Sequence, residues 1–192
     1  MNKYIESTKA FISDNQKTIK TVSGIAFGLL ALAVLVALFI YNVNEGKPNI
    51  VYQPVKACEL LTPVKAEDLL GDKVYSTDAN KPVISGNTAT SKCGYTDRNP
   101  DQTKMLLAAV SVRSAINNKG TKQNKTDFEA YKKGSSSEAV KDVGDSAYFD
   151  KSVGQLNVLS GRMWLKFFYG VGSAPEANTL ENAVKLAQKV LQ

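Results

Sequence analysis

Few residue types in this sequence could carry chemistry, because the chain contains two cysteines and no histidine. Ser-His and Cys-His pairs, HExxH zinc motifs and imidazole proton shuttles all need a side chain that titrates near neutral pH, so none can form. Two cysteines alone complete neither a four-ligand zinc site nor an iron-sulfur cluster. The sequence therefore predicts no catalytic residues, no metal ligands and no cofactor, although an enzyme that acts on glycans through carboxylates stays open.

The two thiols are Cys58 and Cys93, and both lie in the part of the chain that we predict to be outside the cytoplasm. Disulfides persist in such oxidising surroundings, so we expect a bond between the two. In the chain-entropy account, a bond that closes this loop stabilises a fold by about 4 kcal/mol. Two separate buried thiols, packed as small hydrophobes, are the alternative.

The segment from Val22 to Tyr41 is continuously apolar, and no charged residue occurs between Lys20 and Glu45. A helix of this length extends roughly 30 Å, which is the thickness of the hydrocarbon core of a bilayer. The run is longer than the apolar region of a signal peptide and ends in bulky residues, which disfavours cleavage. We therefore predict a transmembrane helix over residues 22–41.

The lysine distribution predicts the orientation of this segment in the membrane. Residues 1–20 carry four lysines, whereas the 15 residues after Tyr41 carry two. Because lysine and arginine favour the cytoplasmic side, we predict a cytoplasmic N-terminus and an extracytoplasmic C-terminal part. Residues 1–21 are predicted to form a cytoplasmic amphipathic segment, which either lies on the inner leaflet or continues the transmembrane helix.

The remaining sequence divides into a linker and one domain. Residues 42–57 contain one glycine and two prolines with little apolar periodicity, which is typical of an extended linker. Residues 58–192 have the usual size of a single domain and are predicted to form one extracytoplasmic unit.

Capping signals predict three helices in this domain. The first runs over 63–70, between the pair Thr62-Pro63 and the stop signal Gly71. Capping boxes at Thr126-x-x-Glu129 and Ser173-x-x-Glu176 predict a short helix that ends at Gly134 and a helix near the C-terminus.

Strands are predicted where β-branched and aromatic residues recur between turn signals. They lie around Cys93-Gly94-Tyr95 and over Met105–Arg113, Ser146–Asp150, Gln155–Leu159 and Met163–Tyr169, and any strands near Val74 and Val83 are short. The predicted fold class is α+β: an N-terminal transmembrane helix, then a mainly antiparallel sheet covered by helices in the order α-βββ-α-βββ-α. This repeated order suggests an internal duplication.

Several short motifs resemble those of a known family. They are Ala57-Cys58-Glu59-Leu60-Leu61-Thr62-Pro63, Cys93-Gly94-Tyr95 and Val143-Gly144-Asp145-Ser146-Ala147-Tyr148. In this order they resemble an uncharacterised actinobacterial family of cell-envelope lipoproteins, with the pattern C-x-L-L-T-P, C-x-Y and V-G-D-x-A-Y. The family usually has a lipid-bearing cysteine where this chain has its apolar segment. The resemblance implies a cell-envelope domain with a disulfide between Cys58 and Cys93, and it implies no catalytic residues.

Two surfaces could bind a ligand. Successive side chains of the strand at Met163–Tyr169 point to opposite faces, so one set is buried and Trp164, Lys166 and Phe168, or the opposite set, lie on the second face. That second face would either be covered by a helix or form a binding surface. The region from 113 to 133 carries six basic residues and two acidic ones, and a loop there could contact anionic lipid headgroups or wall polymers. A solvated loop is the alternative. The six basic residues are Arg113, Lys119, Lys122, Lys125, Lys132 and Lys133.

These features predict a single-pass protein of the cell membrane that presents a non-catalytic binding or interaction domain outside the cytoplasm. Its expected partners are the membrane and envelope proteins or anionic envelope polymers. Specific nucleic-acid binding is not expected, because the basic region between Arg113 and Thr126 has no aromatic side chain for base stacking. A scaffold subunit of a secretion or pilus machine is the alternative.

Overall fold

The structure is a computed structural model that describes Val36 and residues 50–171 and 178–192. The chain divides into two compact units, Met1–Pro48 and Asn49–Gln192. Of the first unit only Val36 is described, and it lies in a helix. The second unit is the domain whose architecture follows.

The described residues of the second unit form four helices and eight strands. The helices are α1 (Ala57–Leu60), α2 (Pro63–Leu70), α3 (Asn118–Gly134) and α4 (Leu180–Leu191). The strands are β1 (Tyr75–Ala79), β2 (Val83–Ser85), β3 (Thr88–Thr96), β4 (Leu106–Ala115), β5 (Ser137–Val140), β6 (Ser146–Asp150), β7 (Gln155–Ser160) and β8 (Met163–Val171).

All eight strands belong to one antiparallel sheet. Its order is β1-β3-β4-β8-β7-β6-β5, and β2 also pairs with β3. The long strands β4 and β8 lie at the centre and join the two halves, with Val110 opposite Phe167. Because side chains alternate between faces along a strand, this register assigns every central residue to one face or the other.

The first face of the sheet carries the main hydrophobic core. Helices α1 and α2 lie against β3 and β4, and α4 lies against β7 and β8. Ala183, Leu186, Ala187 and Val190 of α4 are buried on one helical face, at the spacing that makes an apolar stripe. The Tyr169 hydroxyl donates a hydrogen bond to the carbonyl of Leu69 and so joins β8 to α2.

The second face carries a smaller core under α3. Phe128 of this helix packs with Tyr148, Leu159 and Trp164 of the sheet. The Asn124 side chain is fully buried, and its Nδ2 donates to the carbonyls of Arg113 and Arg162 at 2.9 and 3.0 Å. Helix α3 is therefore fixed to the ends of β4 and β8, and part of this face stays uncovered by it.

The predicted disulfide is confirmed. Cys58 of α1 is bonded to Cys93 of β3, with their Cα atoms 5.1 Å apart and 35 positions apart in sequence. Cys93 is 1% exposed and lies in the main core. The bond therefore holds the first helix of the domain on a long inner strand of the sheet.

The predicted fold class is wrong. Two helices precede the first strand, and four strands rather than three follow α2 and again follow α3. Strands β1 and β2 lie where the sequence indicated short strands, near Val74 and Val83. Strand β5 has no predicted counterpart, because its exposed, polar sequence lacks the apolar alternation that marks a buried face. Within residues 50–171 and 178–192, and at Val36, no helix is long and apolar enough to cross a membrane. The predicted transmembrane segment, residues 22–41, lies outside the described residues except for Val36.

The predicted start of the helix in the basic region is also wrong. Helix α3 begins at Asn118 rather than near Thr126, and the Asn117 side chain caps it by accepting a hydrogen bond from the Gly120 amide at 2.9 Å. A polar first turn that contains glycine has weak helix propensity, which hides this start in the sequence. The predicted box at Ser173-x-x-Glu176 lies outside the described residues, and α4 begins at Leu180 with Thr179 as its cap.

Candidate functional site

Three rows of side chains cross the second face of the sheet between β3, β4 and β8. Strand register places them next to one another, and α3 covers only the first row closely, through Asp127 and Phe128. The rows are Thr90–Arg113–Trp164, Lys92–Ser111–Lys166 and Gly94–Ala109–Phe168.

Aromatic side chains build the wall of this site. Trp164 is 4% exposed, and its Nε1 donates to the Asn157 Oδ1 at 3.1 Å, which fixes the indole ring. The ring contacts Phe128 edge-on at 6.0 Å between centroids, and Tyr131 at 5.2 Å. Tyr131 itself is 61% exposed, so much of its side chain is open to solvent.

Lys166 is the most unusual group of the site. Its Nζ lies 4.8 Å from the centroid of Trp164 and 5.4 Å from that of Tyr131, within the range of cation–π attraction. Among the residues that the structure describes, no carboxylate forms an ion pair with it. Burial and then the positive charge of Arg113 lower the pKa of Lys166, while Asp150 opposes them. The ammonium group is thus held in a half-buried position at a cost in folding energy.

Arg113 supplies the second cation and is fixed in place. One of its terminal nitrogens (Nη1) lies 2.7 Å from the Asp127 Oδ2, and its Nε donates to the Thr88 hydroxyl at 3.4 Å. Its guanidinium carbon is 5.9 Å from the centroid of Trp164. Asp127 therefore neutralises part of the charge of Arg113, whereas Lys166 has no ion pair among the described residues and only the charge of Asp150 acts in its favour.

These groups enclose a cleft of about 230 Å³, which we call the basic cleft. It contains two cations, two aliphatic hydroxyl groups and two aromatic rings, of which one is a phenol, and no carboxylate lines it. Cations beside hydroxyl donors attract and orient a negatively charged group. Because no Asp or Glu lines the cleft, acid–base catalysis by carboxylates has no group to carry it there. Its lining residues are Thr90, Ser111, Arg113, Tyr131, Trp164 and Lys166.

The structure separates the six basic residues that the sequence placed on one loop. Arg113 lies in the basic cleft, and the other five belong to α3. Four of these lysines are exposed and Lys132 is half-buried. The loop interpretation is wrong because the segment is helical, and contact of these lysines with an anionic surface stays a prediction.

The central residues of the cleft were not grouped by sequence reasoning. The alternation of Met163–Tyr169 did place Trp164 and Lys166 on one face, with a binding surface as one interpretation. Nothing local to that strand shows that Arg113 and Ser111 pair beside it, or that Tyr131 lies above it. No cluster of three or more acidic or cysteine side chains that could hold a metal ion occurs within the part of the chain that the structure describes.

Buried tyrosines beside the site predict alkaline sensitivity. Burial, followed by the charge of Asp150, raises the pKa of Tyr148 to about 12, and burial also raises the pKa values of Tyr95 and Tyr169. Because the unfolded state loses these protons near pH 10, the contribution of the protonated tyrosines to the free energy of unfolding is fully present below that pH. It is lost progressively between pH 10 and about pH 12. We expect the free energy of unfolding to fall by about 2 kcal/mol over this window in urea titrations. In the Tyr148→Phe variant the free energy of unfolding should fall less over the same pH range. An equal fall would contradict the raised pKa of Tyr148 as its main cause.

Fold and site together define a disulfide-bonded domain with an antiparallel eight-stranded sheet, one face of which holds a basic, aromatic cleft. Comparison of the chain with protein-family models, curated proteins and solved structures found no match. The resemblance to the actinobacterial lipoprotein family stays a prediction.

Proposed function

We propose that the protein is a non-catalytic binding domain of the cell envelope, displayed outside the cytoplasm, which holds a negatively charged ligand in the basic cleft. The observation that carries this proposal is Lys166, a half-buried cation between two aromatic rings without a carboxylate partner among the described residues. A lysine so placed destabilises the fold, and groups of this kind are typical of binding sites. A ligand anion would supply the missing countercharge.

The location outside the cytoplasm is supported by the disulfide, because such bonds are rare in reducing compartments. Thiol alkylation in intact cells, followed by denaturation, tests it. We expect no labelling of Cys58 or Cys93 until a reductant is added, and labelling without reductant would contradict the proposal. The predicted location at the cell membrane depends on residues 1–41, nearly all of which lie outside the described residues, and it stays a prediction.

Substitution of Lys166 by methionine is expected to stabilise the protein. Methionine fills a similar volume between the rings and removes the desolvated charge, so the free energy of unfolding should rise by about 0.5–1 kcal/mol. Urea unfolding of Lys166→Met beside Lys73→Met, an exposed lysine outside the cleft, measures the difference. A destabilised Lys166→Met variant would indicate that the lysine is structural rather than kept for binding.

Thermal unfolding in the presence of small ligands tests the function itself. A ligand that binds only the folded state raises the melting temperature, and the rise keeps growing with the logarithm of its concentration above the Kd. We expect carboxylates or phosphates to raise it for the unsubstituted protein and for Lys73→Met, but not for Lys166→Met. If anions stabilise Lys166→Met equally, or stabilise none of the three proteins, the proposed function is wrong.

A further inference from the structure

The basic cleft lies between two further surface depressions. Its volume of about 230 Å³ is smaller than that of a usual small-molecule pocket, about 300–1,000 Å³. Two further depressions share a rim residue with it. One, of about 410 Å³, shares Thr90 and extends over β3 towards β2, and the other, of about 660 Å³, shares Tyr131 and extends to the end of α3 and to β6. We call the three depressions together the transverse track, since they follow one another across the strands.

Positive charge is repeated along the part of this track between β2 and β8, whereas the carboxylate of Asp150 lines the depression beyond Tyr131. Lys81 and Lys92 line the depression at β3, and Arg113 and Lys166 line the basic cleft. Lys92 and Lys166 stand in the same row on either side of Ser111, so their backbones are two strand spacings apart, about 10 Å. The Nζ of Lys166 lies at the rings of Trp164 and Tyr131. Lys92 does not line the basic cleft but the depression beside it, so an anion held in the cleft meets Lys166, and a ligand with spaced charges meets both lysines.

The uncharged groups of the track are mainly hydroxyls. Thr90 and Ser111 line its centre, and Ser135, Ser136 and Ser152 line the depression beyond Tyr131. Hydroxyl groups both donate and accept hydrogen bonds, which matches the hydroxyls of sugars. Tyr131 is the one strongly exposed ring among the residues that line the track. Single-stranded nucleic acids stack successive bases on several aromatic side chains, so this arrangement favours a glycan.

We propose that the transverse track binds an extended acidic glycan. One sugar lies against Tyr131 with its carboxylate between Arg113 and Lys166, and the next acidic unit places its charge at Lys92. This inference rests on the proposed function, because it names the ligand of the same cleft. It adds that the ligand is a polymer and that Lys92, outside the cleft, contributes to its affinity.

Calorimetric titration of the full chain with galacturonic acid, its linear tetramer and a neutral glucose tetramer tests the proposal. We expect the acidic tetramer to bind at least about tenfold more tightly than the acidic monomer. Once one unit is bound, the linked unit is held at a high effective concentration beside its own site. The neutral tetramer should not bind measurably. Added salt should weaken the acidic tetramer more than the monomer, since more charge pairs are screened.

Three variants separate the inference from the function on which it rests. Lys92→Met should remove the advantage of the tetramer and leave the monomer affinity unchanged, Lys166→Met should abolish both, and Lys73→Met should change neither. Equal affinity for monomer and tetramer would overturn the inference and leave the proposed function intact. Equal binding of a thymidine oligonucleotide with the same number of charges would also overturn it. Absence of binding by any anion would overturn both.

Discussion

Removal of the disulfide between Cys58 and Cys93 is expected to lower the free energy of unfolding by about 4 kcal/mol. The bond joins residues 35 positions apart, and its loss restores the conformational freedom of that loop in the unfolded chain. Domains of this size are stable by about 5–15 kcal/mol in total, so the expected loss is a large share. Urea unfolding with and without a thiol reductant measures it.

A variant with alanine at both Cys58 and Cys93 gives the matched control for this experiment. Its stability should equal that of the reduced protein within about 1 kcal/mol, and reductant should leave it unchanged. If reduction lowered the stability of the unsubstituted protein by less than about 1 kcal/mol, the disulfide would not be the main constraint between α1 and β3.

Substitution of Gly120 by alanine is expected to lower the free energy of unfolding by about 2–3 kcal/mol. A Cβ atom at this position would lie 2.0 Å from the carbonyl oxygen of Asn87 and 3.1 Å from the Cβ of Ala115. Because the nearest atom belongs to the backbone, the first turn of α3 has to move away from the sheet, and overpacking of this kind costs about 1–3 kcal/mol. The gain in helix propensity, about 1 kcal/mol, does not offset the loss of contact along the helix.

Gly134 lies in the same helix and provides the comparison. A Cβ atom there meets nothing within 4 Å, so Gly134→Ala should leave stability unchanged or raise it by less than about 1 kcal/mol. Urea unfolding of the two variants side by side isolates the steric effect from propensity. Equal stability of the two variants would show that α3 does not approach the sheet as closely as the structure indicates.

Elements with strong local signals could be predicted from the sequence. Helix α2 has the predicted bounds, Pro63–Leu70, because its cap, its proline and its terminal glycine all lie within ten residues. Strand β6 also has its predicted bounds, Ser146–Asp150, and β7 and β8 extend one and two residues beyond theirs. In each of these segments apolar residues lie between clear turn signals.

Elements without such signals could not be predicted. Strand β5 is polar and exposed, and β1 was located only as a short strand near Val74, since an edge strand needs hydrogen bonds to one neighbour and no buried face. The start of α3 depends on the cap at Asn117 and on the fit of Gly120 against Asn87, which is distant in sequence. Local propensity contains neither of these contacts.

The candidate site depends on contacts between distant segments. Lys166 was visible as part of an alternating strand, but the cleft also needs β4 beside β8 and Tyr131 above them. A shift of one residue in the pairing of β4 with β8 would move Arg113 and Ser111 to the other face. The register of the central strands, set by packing on both faces, is therefore what assembles the site.

The central claim, that the basic cleft holds an anion at Lys166, is tested most directly by fluorescence. Trp164 is the only tryptophan in the chain, and its ring lines the cleft 4.8 Å from the Lys166 Nζ, so emission excited at a wavelength that tyrosine does not absorb reports this site alone. Titration with the galacturonic acid tetramer should change the emission in a saturable way in the unsubstituted protein and in Lys73→Met, with no change in Lys166→Met. An unchanged emission in the unsubstituted protein, or the same saturable change in Lys166→Met, would contradict the account.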